Sequence, residues 1–230
     1  MLLGAGCNGC DVDLLEQIIY KYQWPVVTSL LGRGIINENY KNYIGMLGAY
    51  GHRCANMSIP NTDVLIVLGS RLDTRQTGAM IDAFLQTGRI IHVDIDELEL
   101  DNHRLKNRIS VLCRVDDLIN KLARSGGTRT IDYSLWNKYL GKLKEKYNQD
   151  EEIERFVANK APYRFMQCMN TIMKEDDTVC ADIGQNQMWA AQTLKLKSKQ
   201  SFITSGGLAP MGFSMPVAIG CAFANPIKTI

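Results

Sequence analysis

Two short stretches of this 230-residue chain carry residue types suited to holding an anionic cofactor. In "ADIGQNQMWAAQ", Gly184 and Gln185 fall where an apolar strand gives way to a helix. The first amides of a helix have no partner inside it, and the helix dipole favours negative charge there. Gln185 and Asn186 add neutral donors, which suit a diphosphate already balanced by a metal. In "SGGLAPMG", Gly206 and Gly207 leave bare backbone at a matching strand end. Met211 adds an adaptable apolar side chain there, although plain core would use a methionine equally well.

A second set lies in the first half of the chain. Gly4 and Gly6 follow the first apolar run, and Thr28 to Gly32, with Leu30 among them, follow the second. Gly69, Ser70, Arg71, Asp73 and Arg75 follow the third, and Asp94 and Asp96 close the fourth. In a doubly wound sheet, ligands sit beyond the carboxyl ends of the strands. Glycines let backbone approach a ligand closely, arginines offer forked donors to phosphate, and a strand-end acid can take a ribose hydroxyl pair. Together these residues outline a dinucleotide-shaped crevice. Gly4, Gly6 and Gly9 also match the spacing G-x-G-x-x-G, which alone describes any tight strand-to-helix turn. Arg71, Asp73 and Arg75 read equally as an ion-pair cluster that caps the next helix.

The elements that must position these residues are visible in the hydrophobic pattern. Apolar residues at 14, 15, 18, 19 and 22 have helical spacing, with Asp11 placed as N-cap. "MLLGAG", "WPVVTSL", "DVLIVLGSRL", "RIIHVDID" and "ISVLCRV" read as buried strands, with helical stretches at 52–59, 76–86 and 116–123 between them. Alternating strands and helices predict an α/β fold, a doubly wound parallel sheet over residues 1–125. A helical linker over 126–160 follows, with a solvated surface helix at 133–147. An incomplete second α/β domain covers 161–230. It reads as a helix at 163–174, a strand in "TVCADIG", a helix in "QNQMWAAQTL", a strand in "SFITSGG" and a helix at 213–224. Asn225-Pro226 break that helix, and Lys228 to Ile230 look like the opening of another buried strand.

Composition bounds the function. The chain is 46% hydrophobic and 22% charged with a net charge of +2, ordinary for a globular protein and without the field that draws nucleic acid. No apolar run approaches the roughly 18 residues of a membrane span, and the N-terminus does not read as a signal peptide. Seven scattered cysteines suggest reduced thiols and a cytoplasmic protein. Cys7-x-x-Cys10 has no second pair, and neither His52 nor His92 has ligand spacing to it.

These stretches resemble the thiamine-diphosphate enzymes, most closely the acetolactate synthase (acetohydroxyacid synthase) group, over nearly the whole chain. "PVVTSLLGRG", "YIGMLGAYG", "VLGSRLDTRQTG" and "IIHVDIDELEL" are similar to the central domain of that family, and "DIGQNQMWAAQ" and "TSGGLAPMGFSMPVAIGCAFANP" to the start of its C-terminal domain. The resemblance implies thiamine diphosphate held by Gly184, Gln185, Asn186, Gly207 and Met211, the methionine lying under a bent cofactor. It implies FAD held at Gly4, Gly6, Thr28, Leu30, Gly32, Gly48, Gly69, Arg71, Asp73, Arg75, Asp94 and Asp96. It implies an Mg2+ ion whose ligands, like the activating glutamate, lie outside this stretch. The activity implied is decarboxylation of a 2-keto acid such as pyruvate, with transfer of the acyl carbanion to a second carbonyl. A homodimer or larger assembly is expected, with no nucleic acid and no membrane. The chain by itself is then a piece without activity. A related thiamine decarboxylase, oxidase or sugar-pathway ligase, or a non-catalytic nucleotide-binding module, are the alternatives. Departures from the family pattern are Cys113-Arg114 for a common Gly-Asp, Tyr50 for a common histidine, Asn186 for another, and Ala209-Pro210 before Met211.

Overall fold

The computed structural model describes residues 1–101, 104–125, 131–197, 199–226 and 230. The chain divides into two compact units. The first comprises Met1–Gly32 and Lys41–Asn148, and the second Arg33–Tyr40 and Gln149–Ile230.

The first unit is built on six parallel strands: β1 (Leu2–Leu3), β2 (Val26–Thr28), β3 (Tyr43–Met46), β4 (Val64–Leu68), β5 (Arg89–Asp94) and β6 (Arg108–Leu112). Their order across the sheet is β3-β2-β1-β4-β5-β6. The winding therefore reverses between β1 and β4, where an open α/β sheet forms its ligand crevice. Leu2, Leu3, Val26, Val67, Leu68 and Val93 are buried on both faces of the sheet, as the continuous apolar runs require. Helix α1 (Val12–Tyr22) starts at Asp11, whose carboxylate accepts the Leu14 amide at 3.0 Å. Helices α2 (Arg53–Ser58) and α4 (Glu97–Asp101) lie on the crossovers from β3 to β4 and from β5 to β6, and α5 (Val115–Arg124) follows the last strand and packs on α1.

Three expectations change here. The stretch at 76–86 is a single turn, α3 (Thr74–Thr77), followed by a separate 3-10 turn at Ile81–Ala83. Gly78, at φ 77°, stops α3. Strand β3 was hidden because its four residues include a glycine and make no long apolar run. Helix α6 (Ser134–Lys146) is not merely solvated: Leu140 and Leu143 join the cluster that holds Ala55 and Ile59.

In the second unit, α7 (Gln149–Phe156) and α8 (Ala161–Ile172) precede two parallel strands, β7 (Thr178–Ala181) and β8 (Ser201–Thr204). Helix α9 (Gln185–Thr193) connects them, and α10 (Ser214–Ala224) follows and packs on β7. Helix α7 falls where the sequence reads as linker. Ile153 is its one buried residue, so it shows no apolar period. Acids at 150–152 and Arg155 near its end suit the helix dipole instead. The strand expected from Lys228 falls mostly on positions outside the described residues.

Candidate functional site

At the carboxyl end of β1 the chain leaves the sheet through Gly4 and makes a 3-10 turn over Ala5–Cys7. The glycines of the first half meet here, and they meet one another. The Gly6 amide donates to the Gly69 carbonyl at 2.8 Å. A Cβ on Gly6 would lie 2.7 Å from Gly69 Cα, and one on Gly4 would lie 2.3 Å from Gly69 O. A Cβ on Gly32 would lie 2.2 Å from Leu3 O. Strand-end backbones packed this tightly account for all four glycines without a ligand. The G-x-G-x-x-G spacing is thus a turn here. Helix α1 begins only after it, at an N-terminus flanked by Asp11, Asp13 and Asp116.

Other expected crevice residues are engaged locally. Thr28 is fully buried, its hydroxyl 3.0 Å from that of Tyr43. Asp73 caps α3 by accepting the Gln76 amide, and Arg71 pairs with Glu99 at 3.6 Å. Asp94 accepts the amides of Ile95 and Asp96, and Asp96 accepts those of Leu98 and Glu99. Leu30 lies in a 3-10 turn that ends at Gly32. Gly48 exchanges two hydrogen bonds with the Asn56 carboxamide. Arg75 is exposed, and its carbonyl accepts the Ala49 amide. Burial raises the Tyr50 hydroxyl above its ordinary range, with Arg75 lowering it in part. The His52 ring packs where a Gly45 side chain would lie and accepts the Met46 amide at 2.8 Å, a structural post.

The second unit presents a different surface. Gly184 is the N-cap of α9 at φ 119°, with no side-chain cap, and Gln185 and Asn186 are exposed on the first turn. A Cβ at Gly184 or at Gly207 would meet nothing within 4 Å. At these two positions glycine leaves room instead of being forced by its neighbours. Gln187, next on the helix, is buried and donates to Thr204 Oγ1 on β8 at 2.5 Å. Ser205 follows β8; its hydroxyl is buried and has no hydrogen-bond partner. Met211 lies 89% exposed on the loop between β8 and α10.

Asp182 holds that loop. It follows β7 directly, and its carboxylate accepts the Gly212 amide at 3.1 Å, the Ser214 amide at 3.3 Å and the Ser214 hydroxyl at 3.2 Å. Partial burial works to raise its pKa. The Ser214, Ile183 and Phe213 amides outweigh that and hold it below the ordinary carboxylate range. Its anchoring contribution is therefore complete above that range and disappears as pH falls through the lowered value. Asp182→Asn should loosen residues 211–214 at neutral pH and abolish their acid-induced opening, as read by amide exchange across a pH series. Sequence reasoning passed over Asp182, although a strand-end acid was the signal used for Asp94.

A cavity of about 480 Å3 between the end of α1 and the start of α6, lined by Lys21, Trp24, Lys41 and Tyr133 among others, opens before β2 and β3, at the opposite end of the strands from the crevice. Among the described residues, no three His, Cys, Asp or Glu side chains group as a metal site. Burial pushes the Cys7 thiol up to about 12 and the Cys10 thiol up to about 11, opposite to what a reactive pair needs. Among the described residues no helix is long and apolar enough to cross a membrane.

A family model described as "Thiamine pyrophosphate enzyme, central domain" matches residues 1–122, and one described as "Thiamine pyrophosphate enzyme, C-terminal TPP binding domain" matches residues 182–230. The chain is similar to the acetolactate synthase large subunits of Porphyra purpurea and of Lactococcus lactis subsp. lactis, each 33% identical over 100% of this chain and 39% of the relative. Acetolactate synthase 1, chloroplastic, of Nicotiana tabacum is 29% identical over 100% of this chain and 34% of the relative. The chain thus spans between about a third and two fifths of the length of these curated relatives.

Proposed function

The chain belongs to the thiamine pyrophosphate enzymes, and we propose that it forms part of an acetolactate synthase-like carboligase acting on a 2-keto acid such as pyruvate. One observation carries this reading. The uncapped start of α9 and the Gly207–Met211 loop stand at the ends of neighbouring parallel strands, with unfilled space at both glycines. The first-turn amides of α9, beginning at Gln185 and Asn186, suit the diphosphate of thiamine diphosphate. Gln185 and Asn186 would add neutral donors, and the partnerless Ser205 hydroxyl gives the site one more polar group to offer. Asp182 would hold Met211 in place through the Gly212 and Ser214 amides. Bound there, the cofactor would supply the carbon nucleophile that takes up the 2-keto acid, releases carbon dioxide and joins the remaining acyl group to a second carbonyl.

The proposal extends to FAD at the β1/β4 switch point, where Arg71 and Arg75 are exposed cations, and to Mg2+ held by residues outside this stretch. It extends also to a cytoplasmic enzyme that is at least a homodimer. The exposed apolar side chains of Leu208, Met211 and Phe223 fit a surface that further protein covers.

The test uses the full-length protein supplied with pyruvate, thiamine diphosphate and Mg2+. Acetolactate formation, with flavin absorbance in the purified protein, is the expected outcome. Carbon dioxide release with free aldehyde and no acetolactate would replace the carboligase by a decarboxylase. Absence of thiamine diphosphate binding would overturn the reading.

A further inference from the structure

The most deeply buried ion pair among the described residues lies in the second unit, on the short segment Arg33–Tyr40 that the chain contributes from far upstream. The side chains of Arg33 and Glu38 are 0% and 4% exposed. They meet as a fork, Nε to Oε1 at 3.0 Å and Nη2 to Oε2 at 2.6 Å. The same guanidinium donates to the Ala190 carbonyl at 3.1 Å and to the Leu194 carbonyl at 2.5 Å. Both carbonyls belong to the C-terminal end of α9, where the helix dipole favours a cation; the Ala190 carbonyl also accepts the Leu194 amide at 3.0 Å, and Leu194 is the C-cap. The seat is tight. The Glu38 amide donates to the Leu196 carbonyl at 2.9 Å, and the Leu196 amide returns a bond to Glu38 Oε2 at 3.2 Å. A Cβ on Gly34 would lie 2.6 Å from Gln200 O, and the guanidinium lies 5.4 Å from the centre of the Phe202 ring.

We infer that Arg33 is a positioning residue for the diphosphate-binding helix: it clamps the C-terminal end of α9 and so fixes the direction in which the N-terminal end presents Gly184, Gln185 and Asn186. Helix α9 has only nine residues. A tilt allowed at one end therefore displaces the amides at the other by a comparable amount. In the first turn Gln187 donates to Thr204, and near the other end the Tyr163 hydroxyl donates to Gln192 and the Asn170 carboxamide donates to the Thr193 carbonyl at 3.0 Å, all neutral bonds. Arg33 adds the charged attachment, one buried guanidinium bonded to two carbonyls at the C-terminal end. Stability alone would not require an ion pair here, because a buried pair can be exchanged for apolar side chains of similar volume at little cost. Such an exchange keeps the packing and deletes the clamp, and that separates the two roles. The assignment to thiamine diphosphate rests on the function proposed above, whereas the anchoring of α9 does not.

The experiment compares the full-length protein with its Arg33→Met, Arg33→Lys and Arg33→Met/Glu38→Leu variants. It reads thermal unfolding, amide exchange of residues 185–194 without cofactor, and thiamine diphosphate affinity by calorimetry. Arg33→Met leaves Glu38 buried without its partner and should unfold readily. The double variant should regain the wild-type melting temperature. It should still exchange its α9 amides roughly tenfold faster and bind thiamine diphosphate roughly tenfold more weakly, the scale of two lost charge-assisted hydrogen bonds shared over a helix. Arg33→Lys, with a charge but no fork, should fall between. Wild-type α9 exchange in the double variant would overturn the inference. Faster exchange with unchanged cofactor affinity would overturn its link to the cofactor. If the wild-type protein binds no thiamine diphosphate, the functional reading fails, and the exchange rates by themselves decide whether Arg33 anchors α9.

Discussion

Gly69→Ala should bring the first unit close to unfolding, whereas Gly9→Ala should be tolerated. Both glycines have positive φ, +55° at Gly69 and +85° at Gly9, so both variants bear the left-handed strain of an L residue, about 1–2 kcal/mol. They differ in space. A Cβ on Gly69 would lie 2.5 Å from Gly6 Cα and within 2.9 Å of Gly6 C and N, all backbone atoms that no rotamer change can move. A Cβ on Gly9 would meet nothing within 4 Å. Overpacking adds about 1–3 kcal/mol in cores able to relax, and this junction is fixed by the hydrogen bonds from Gly4 to Leu68 and from Gly6 to Gly69. The total for Gly69→Ala is then about 2–5 kcal/mol, against the about 5–15 kcal/mol that stabilises a typical domain. Denaturant midpoints of the two variants check this. Equal midpoints would show that the turn relaxes and that the close approach of β1 and β4 does not dictate glycine here.

That comparison also shows what the sequence could and could not convey. The positions of Gly4, Gly6, Gly32 and Gly69 at strand ends were legible, because apolar runs stop at them. Their reason was not. A glycine that admits a ligand and one that admits another strand's backbone look alike until the distance to Gly69 is known. Fold class was legible for the same reason that β4 and β5 are: strands covered on both faces leave unbroken apolar runs. Asp11 was found as a cap because capping is local, three residues from donor to acceptor. Strand β3 and helix α7 escaped because one is short and contains a glycine and the other buries a single side chain. Arg33 was beyond reach altogether. Its acceptor on Ala190 is 157 residues away, and nothing in "LLGRGIINE" announces that partner.

Gly184→Ala should do the reverse of Gly69→Ala, sparing the fold and damaging the site. At φ 119° the new methyl carries strain on the order of 1–3 kcal/mol, but it meets no atom within 4 Å, so no packing term is added. It does project at the N-cap of α9, into the space that a diphosphate bound as proposed would need to reach the first-turn amides. Charge-assisted hydrogen bonds from backbone amides are worth about 1.5–3 kcal/mol each, so keeping one of them from closing weakens thiamine diphosphate binding by roughly tenfold or more. Gly9→Ala is the matched control, because it has similar backbone strain and open surroundings in the other unit. Cofactor titration of the full-length protein should therefore separate two variants that unfold alike. If both bind thiamine diphosphate as the wild type does, the start of α9 is not where the diphosphate sits. If only Gly184→Ala binds weakly, the open space at the N-cap of α9 is ligand space, and backbone strain at an open glycine is not by itself the cause.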